Sequence, residues 1–228
     1  MVSIRVARGA HISSGVQEIE SGGPASGGHG PVARVLLGIA SATRLSPNGL
    51  TLLGFAGVCG VAALIISRQW VLAGFAYVAF SLADSLDGTL ARAQGRSTTF
   101  GAFLDSTLDR LAEGVILGAL GIVMAREGQD LAVAACFAAL TASFLVSYSR
   151  ARSEGLGIDS NKGGLMGRPE RLVLTGLGIF MGGLGSVLEV AIYVLAALSI
   201  ITAGQRVWHV RAALAERTAT ESGNPATG

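Results

Sequence analysis

The sequence is short of charge. Of its 228 residues only 14% are Asp, Glu, Lys or Arg, against about 25% in ordinary soluble domains. Half are hydrophobic and the mean hydropathy is +0.57, which excludes a typical soluble globular domain and predicts an integral membrane protein. Metal-binding and redox side chains are scarce too. The three histidines, His11, His29 and His209, are scattered, and the two cysteines, Cys59 and Cys136, each fall inside an apolar run. A zinc centre and a disulfide scaffold are thereby excluded, and the cysteines read as small buried hydrophobes. Residues 1–29, rich in Gly and Ser, lack an apolar stretch long enough for a signal-peptide core and are expected to form a disordered cytosolic tail. The net charge is only +2, and no nucleic-acid partner is expected. Where the basic residues stand matters more than their sum.

What is present is a series of apolar segments. Residues 31–45, "PVARVLLGIASATRL", put Val32, Val35, Leu36, Ile39 and Ala40 on one face, the pattern of an amphipathic helix lying on a membrane surface. Ser46 as a cap and Pro47 at the first helical position then open a span. Six spans are expected, near 47–67, 70–94, 99–125, 129–153, 169–184 and 187–210, with "MGGLGS" acting as the turn between the last two. The expected fold is all-α, a membrane domain over 30–212 with a disordered C-terminal tail at 213–228. Six spans put both termini on one side. Placing that side in the cytosol gathers Arg5, Arg8, Arg34, Arg44, Arg92, Arg96, Arg150, Arg152, Lys162, Arg168, Arg171, Arg206, Arg211 and Arg217 there, and leaves only Arg68 and Arg126 outside. That is the positive-inside pattern of a multi-pass plasma-membrane protein. Small-residue pairs such as Gly114 with Gly118 and Gly178 with Gly182 would allow close helix packing.

Against this background four aspartates stand out. Asp84 and Asp87 are three residues apart and Asp105 and Asp109 four apart, so each pair shares a face of its own helix. At about 1.5 Å per residue, the first pair lies roughly 21–26 Å along the second span and the other roughly 9–15 Å into the third. All four can therefore meet at one level in the cytosolic half of a core about 30 Å thick. Each would cost about 3 kcal/mol in hydrocarbon unless neutralised. One alternative is that each pairs with an arginine, Asp109 with Arg110 or Asp84 with Arg92. Four at these spacings point instead to a shared cation site, and all-oxygen donors suit two Mg²⁺ ions, or Mn²⁺. Gly88, Ala91 and Gly101 keep side chains small around them and Arg92 adds a positive charge, which describes a metal-lined groove with room for a phosphate ester.

Written out, the stretch is Asp84-x2-Asp87-Gly88-x2-Ala91-Arg92-x8-Gly101-x3-Asp105-x3-Asp109. It resembles, at every position, the signature of the CDP-alcohol phosphatidyltransferases, and the likeness extends over residues 30–210. The resemblance implies that Asp84, Asp87, Asp105 and Asp109 hold two divalent cations on the diphosphate of a CDP-linked lipid such as CDP-diacylglycerol, with Asp109 also the general base. "SPNGLT" resembles the family's nucleotide-contacting segment, which implies Asn48 and Thr51, with Gly88, Ala91, Arg92 and Gly101, beside CDP. It implies a homodimer as well.

The signature is silent on the acceptor alcohol. Arg150 and Arg152 end the fourth span, Arg168 and Arg171 begin the fifth, and Arg206 ends the sixth. The positive-inside rule alone accounts for several of them; a pocket for a phosphorylated acceptor accounts for their convergence. "SYSRARSEG", "RPERL" and "ITAGQR" are similar to segments of the actinobacterial phosphatidylinositol phosphate synthases. That likeness implies Arg150, Arg171 and Arg206, with Ser147, around the phosphate of inositol 1-phosphate; the first position departs, Arg standing where the relatives carry Lys. Within the family, an enzyme using an archaeol lipid or one joining CDP-inositol to inositol phosphate would share such a pocket, and phosphatidylglycerol phosphate synthesis uses another phosphorylated acceptor. A divalent-cation transporter is the reading from another class, and it expects acidic residues in the last three spans, which hold little beyond Glu189.

Overall fold

The computed structural model describes residues 47–93, 98–158 and 164–223, with the side chains of 47, 48, 50, 83–93 and 220–223 outside that description. The N-terminal tail, the expected interfacial helix at 31–45 and Ser46 fall outside the described residues. Six helices follow: α1 (Pro47–Ile66), α2 (Trp70–Ala93), α3 (Thr99–Arg126), α4 (Asp130–Gly155), α5 (Arg168–Phe180) and α6 (Val187–Gly223). Among the described residues there is no strand. The starts follow local chemistry. Pro47 opens α1, where its missing N–H is no loss. Thr98 caps α3 by accepting the Gly101 N–H on its side-chain oxygen at 2.9 Å, and Pro169 sits in the first turn of α5.

Packing runs in a closed ring, α1 against α2, α2 against α5, α5 against α6, α6 against α4, α4 against α3 and α3 back to α1. Side-chain contacts fix the directions. Trp70 lies beside Gly182, Phe180 beside Gly74 and Tyr77 beside Gly176, so α2 and α5 run antiparallel. Arg206 reaches the Val146 carbonyl and Arg217 the Leu156 carbonyl, so α4 and α6 run parallel. The turns after α1 and α3 meet at one end, where Arg68 pairs with Glu127 at 3.0 Å and Arg126 donates to the Ile66 carbonyl. These are the two arginines that break the positive-inside pattern, and both are engaged by the fold. Near this end lies most of the apolar core, around Val61, Ile65, Leu120, Val123, Ile179 and Ile192. Toward the opposite end the buried groups turn polar: Ser143, Ser153, Arg171, Ser199 and Thr202.

Helix number matches the sequence expectation, while length departs from it. Among the described residues only Asp130–Gly155 and Val187–Ala219 are long and apolar enough to cross a membrane, with shorter apolar stretches at Thr51–Ile66 and Trp70–Leu82. The fifth helix, expected over 169–184, stops at Phe180 because the glycines of "MGGLGS" form a turn, with Gly185 at φ +56°. The sixth runs past the expected end at 210 to Gly223, so residues 213–223, expected as a tail, are helical. Residues 211–217 are all Arg, Ala, Leu or Glu, strong helix formers that carry the helix past 210, and Arg217 ties it back to Leu156.

Glycines set how closely helices approach. A Cβ on Gly74 would stand 2.9 Å from the Phe180 Cα, in backbone that cannot step aside, whereas one on Gly60 meets nothing within 4 Å. Gly74→Ala should therefore destabilise the bundle by about 1–3 kcal/mol through overpacking. Gly60→Ala should stabilise it by roughly 0.5–1 kcal/mol through helix propensity. Thermal unfolding in detergent should move in opposite directions for the two variants.

Candidate active site

The last turns of α2 and the first turns of α3 carry the four expected metal ligands. Asp84 and Asp87 stand on the last turns of α2 and Asp105 and Asp109 on the early turns of α3, about 9–15 Å from the joined ends in both helices. Gly88, Ala91 and Arg92 continue the same part of α2; their side chains, with those of Asp84, Asp87 and Asn48, lie outside the described residues. Gly101 sits in the first turn of α3, its N–H taken by the cap. Asp105 is half-buried, one turn before Asp109.

Asp109 is 17% exposed and accepts a hydrogen bond from Arg168 Nη2 at 2.5 Å on Oδ1. The arginine at Asp109 is therefore one that arrives from α5, while Arg110 turns back to the Ser106 carbonyl of its own helix. One turn deeper, Glu113 accepts from Arg171 Nε at 3.0 Å on Oε1 and from Ser143 Oγ at 2.5 Å on Oε2. Carboxylates four apart on α3 thus meet arginines three apart on α5, a ladder that requires the two helices to run in the same direction. Glu113 went unnoticed in the sequence. Its signal was a lone carboxylate in the apolar run "LAEGVILGALG", continuing the fourfold spacing of Asp105 and Asp109.

A cleft of roughly 850 Å³, open to solvent, lies inside this corner; Thr51 of α1, Tyr77 of α2, Asp109 and Glu113 of α3 and Arg168 and Arg171 of α5 line it. A residue expected at the nucleotide, the expected base and an expected acceptor arginine therefore share one cavity. Tyr77 is buried and, with Thr175 of α5, lines the inner wall.

The three expected acceptor arginines differ in their surroundings. Arg171 is only 7% exposed and held by Glu113. Arg150 is exposed and pairs with Glu154 one turn along α4 at 2.8 Å. Arg206 gives Nη1 to the Val146 carbonyl at 3.4 Å, while its Nε is buried without a hydrogen-bond partner among the described residues. The like charges of Arg150 and Arg171 both act on it. Ser147 is half-buried on α4, one turn before Arg150. A buried, unpartnered guanidinium nitrogen beside two further arginines is a place where an anion would be held.

Among the described residues no three His, Cys, Asp or Glu side chains cluster closely enough to hold a metal ion. Asp105 and Asp109, one turn apart and oxygen-only, are donors that fit a hard divalent cation.

The chain is similar to known proteins in sequence and fold. Residues 44–215 match the profile of the CDP-alcohol phosphatidyltransferase family. A phosphatidylinositol phosphate synthase of Corynebacterium glutamicum is 39% identical over 181 residues, covering 77% of this chain and 80% of its own length. An archaetidylinositol phosphate synthase of Pyrococcus horikoshii is 35% identical over 181 residues, 79% of this chain and 91% of that one. The crystal structure of Mycobacterium tuberculosis phosphatidylinositol phosphate synthase with CDP-DAG bound aligns over 79% of this chain and 93% of its own, at TM-score 0.71 and 29% identity. The same enzyme in complex with manganese and citrate aligns over 79% and 87%, at TM-score 0.69 and 32% identity. With more than half its length matched and relatives this similar, the chain belongs to the CDP-alcohol phosphatidyltransferase family.

Proposed function

We propose that the protein transfers the phosphatidyl group of CDP-diacylglycerol to inositol 1-phosphate, giving phosphatidylinositol phosphate and CMP. The observation that carries this reading is the position of Arg171, which lines the same cleft as Asp109 while standing with Arg150 and Arg206. A hydroxyl of an acceptor whose phosphate rests on those arginines would be delivered toward Asp109. The three similar synthases named above each make an inositol phosphate lipid by name.

In this reading the acceptor hydroxyl attacks the lipid-bearing β-phosphorus. The new O–P bond forms as the bond to the CMP oxygen breaks, and Asp109 takes the hydroxyl proton. Arg168 orients that carboxylate. Asn48, Thr51, Gly88, Ala91, Arg92 and Gly101 hold the CDP portion, and Asp84, Asp87, Asp105 and Asp109 would hold two Mg²⁺ or Mn²⁺ ions. When bound, these ions would neutralise the diphosphate and the departing CMP. Binding and positioning then account for most of the rate.

We further propose that all six helices cross the plasma membrane, with both termini and the cleft on the cytoplasmic side. Large apolar side chains on the outer surface, among them Phe75, Phe103, Leu131, Phe137 and Val173, suit a lipid surround. The short α5 suits it too. Its first residue meets Asp109, about 15 Å along α3, so its 13 residues, roughly 20 Å, complete the span from there. Residues 1–29 are a cytosolic tail in this scheme, and the molecule is a homodimer.

Purified protein given CDP-diacylglycerol and Mg²⁺ should release CMP with inositol 1-phosphate, and neither with free inositol nor with serine. Release with glycerol 3-phosphate alone would move the assignment to another phosphorylated acceptor, and release only with an archaeol-based CDP lipid would move it to the archaetidyl reaction. Chelation of divalent cations should stop turnover. Asp109→Asn should abolish CMP release, measured as kcat, whereas Arg171→Ala should act mainly on acceptor binding, raising its KM about 10- to 100-fold.

A further inference from the structure

Glu113 takes no part in the steps above, yet both its carboxylate oxygens are held by side chains of other helices. It sits one turn deeper than Asp109 on the face of α3 that lines the cleft, and both its oxygens are used, Oε1 by Arg171 of α5 and Oε2 by Ser143 of α4. Ser143 is fully buried and Arg171 nearly so. A rotation of Glu113 would break bonds to two helices at once.

The atom that Glu113 holds is decisive. A guanidinium offers two edges for paired hydrogen bonds, one including Nε and one formed by Nη1 and Nη2. With Nε committed to Glu113, Arg171 keeps Nη1 and Nη2, which make no hydrogen bond among the described residues. We propose that Glu113 is a positioning residue for the acceptor phosphate: it fixes Arg171 so that the Nη edge faces the pocket shared with Arg150 and Arg206. The inference rests on the reading of that pocket as the phosphate site. Glu113 acts through Arg171 and touches neither the reacting phosphorus nor its metal ions.

The test is steady-state CMP release by the purified full-length protein, varying inositol 1-phosphate, CDP-diacylglycerol and Mg²⁺ in separate series. Glu113→Gln keeps the size and one acceptor oxygen but loses the charge. It should raise the acceptor KM about tenfold, the scale of replacing a charged by a neutral hydrogen bond, with kcat, the CDP-lipid KM and the Mg²⁺ requirement held within about twofold. Ser143→Ala should move the acceptor KM the same way by about threefold, and it carries the test alone if Glu113→Gln does not accumulate as folded protein. In an Arg171→Ala background, Glu113→Gln should add nothing. Additive losses in that double variant, an altered Mg²⁺ requirement, or equal weakening toward both substrates would overturn the proposal while leaving the pocket reading intact. Wild-type turnover with free inositol and none with its phosphate would overturn the pocket reading, and this proposal with it.

Discussion

Two carboxylates on one face of α3 meet two arginines on one face of α5, and the shape of the site half of the molecule follows from that ladder. A carboxylate or guanidinium withdrawn from water costs several kcal/mol unless it meets an opposite charge in good geometry. Asp109 with Arg168 and Glu113 with Arg171 satisfy that condition between helices. The pairing sets the relative height of α3 and α5 and their common direction. Apolar packing alone would leave both open, because a greasy helix face can slide by a turn at modest cost.

The ladder also explains why α5 is short. Arg168, its first residue, must reach Asp109, which lies about ten residues up α3. A fifth helix of full length would have to run past that level and fill the corner where Thr51, Tyr77 and Asp109 now line a cleft. Gly164 to Gly167 enter instead as a non-helical strap, pinned to α6 by Met166 N–H on Thr202 Oγ1 and by Leu165 N–H on the Gln205 side chain. The apolar core is left to the other end, where the turns clasp through Arg68 and Glu127. Rigidity at one end and an open polar corner at the other are two outcomes of one placement of charge.

This division decides what the sequence could reveal. The helical setting of the aspartates was legible because charge is rare in this chain and helical periodicity is strict: spacings of three and four put each pair on one face of α2 or α3. The helix start at Pro47 was legible from proline chemistry. The end of α6 was not, because "RAALAERTA" reads equally as a polar tail or a solvated helix until Arg217 is seen to anchor it. Pairing across helices was the least legible. Nothing local joins Asp109 to Arg168, 59 residues away, or Glu113 to Arg171, 58 away. Neighbouring arginines such as Arg110 are decoys, since a side chain one position along a helix points to another face.

The ladder further separates three arginines that look equivalent in the sequence. A phosphomonoester brings a charge of about −2 at neutral pH, and the free charge in the pocket must answer it. Arg171 is buried and already balanced by Glu113, so it offers direction more than net charge. Arg206 meets a backbone carbonyl and keeps a buried Nε unpartnered among the described residues, which makes it the arginine with most to gain from an anion. Arg150 is half-exposed in an i,i+4 pair with Glu154, and such a pair is worth only about 0.3–0.5 kcal/mol. It can be drawn away from its carboxylate at little cost. On the proposed reading a phosphate is therefore met by one fixed, one desolvated and one recruitable guanidinium. Only the fixed one lies in the cleft with Asp109, so the aim of the acceptor hydroxyl rests on Arg171 and on the Glu113 carboxylate behind it.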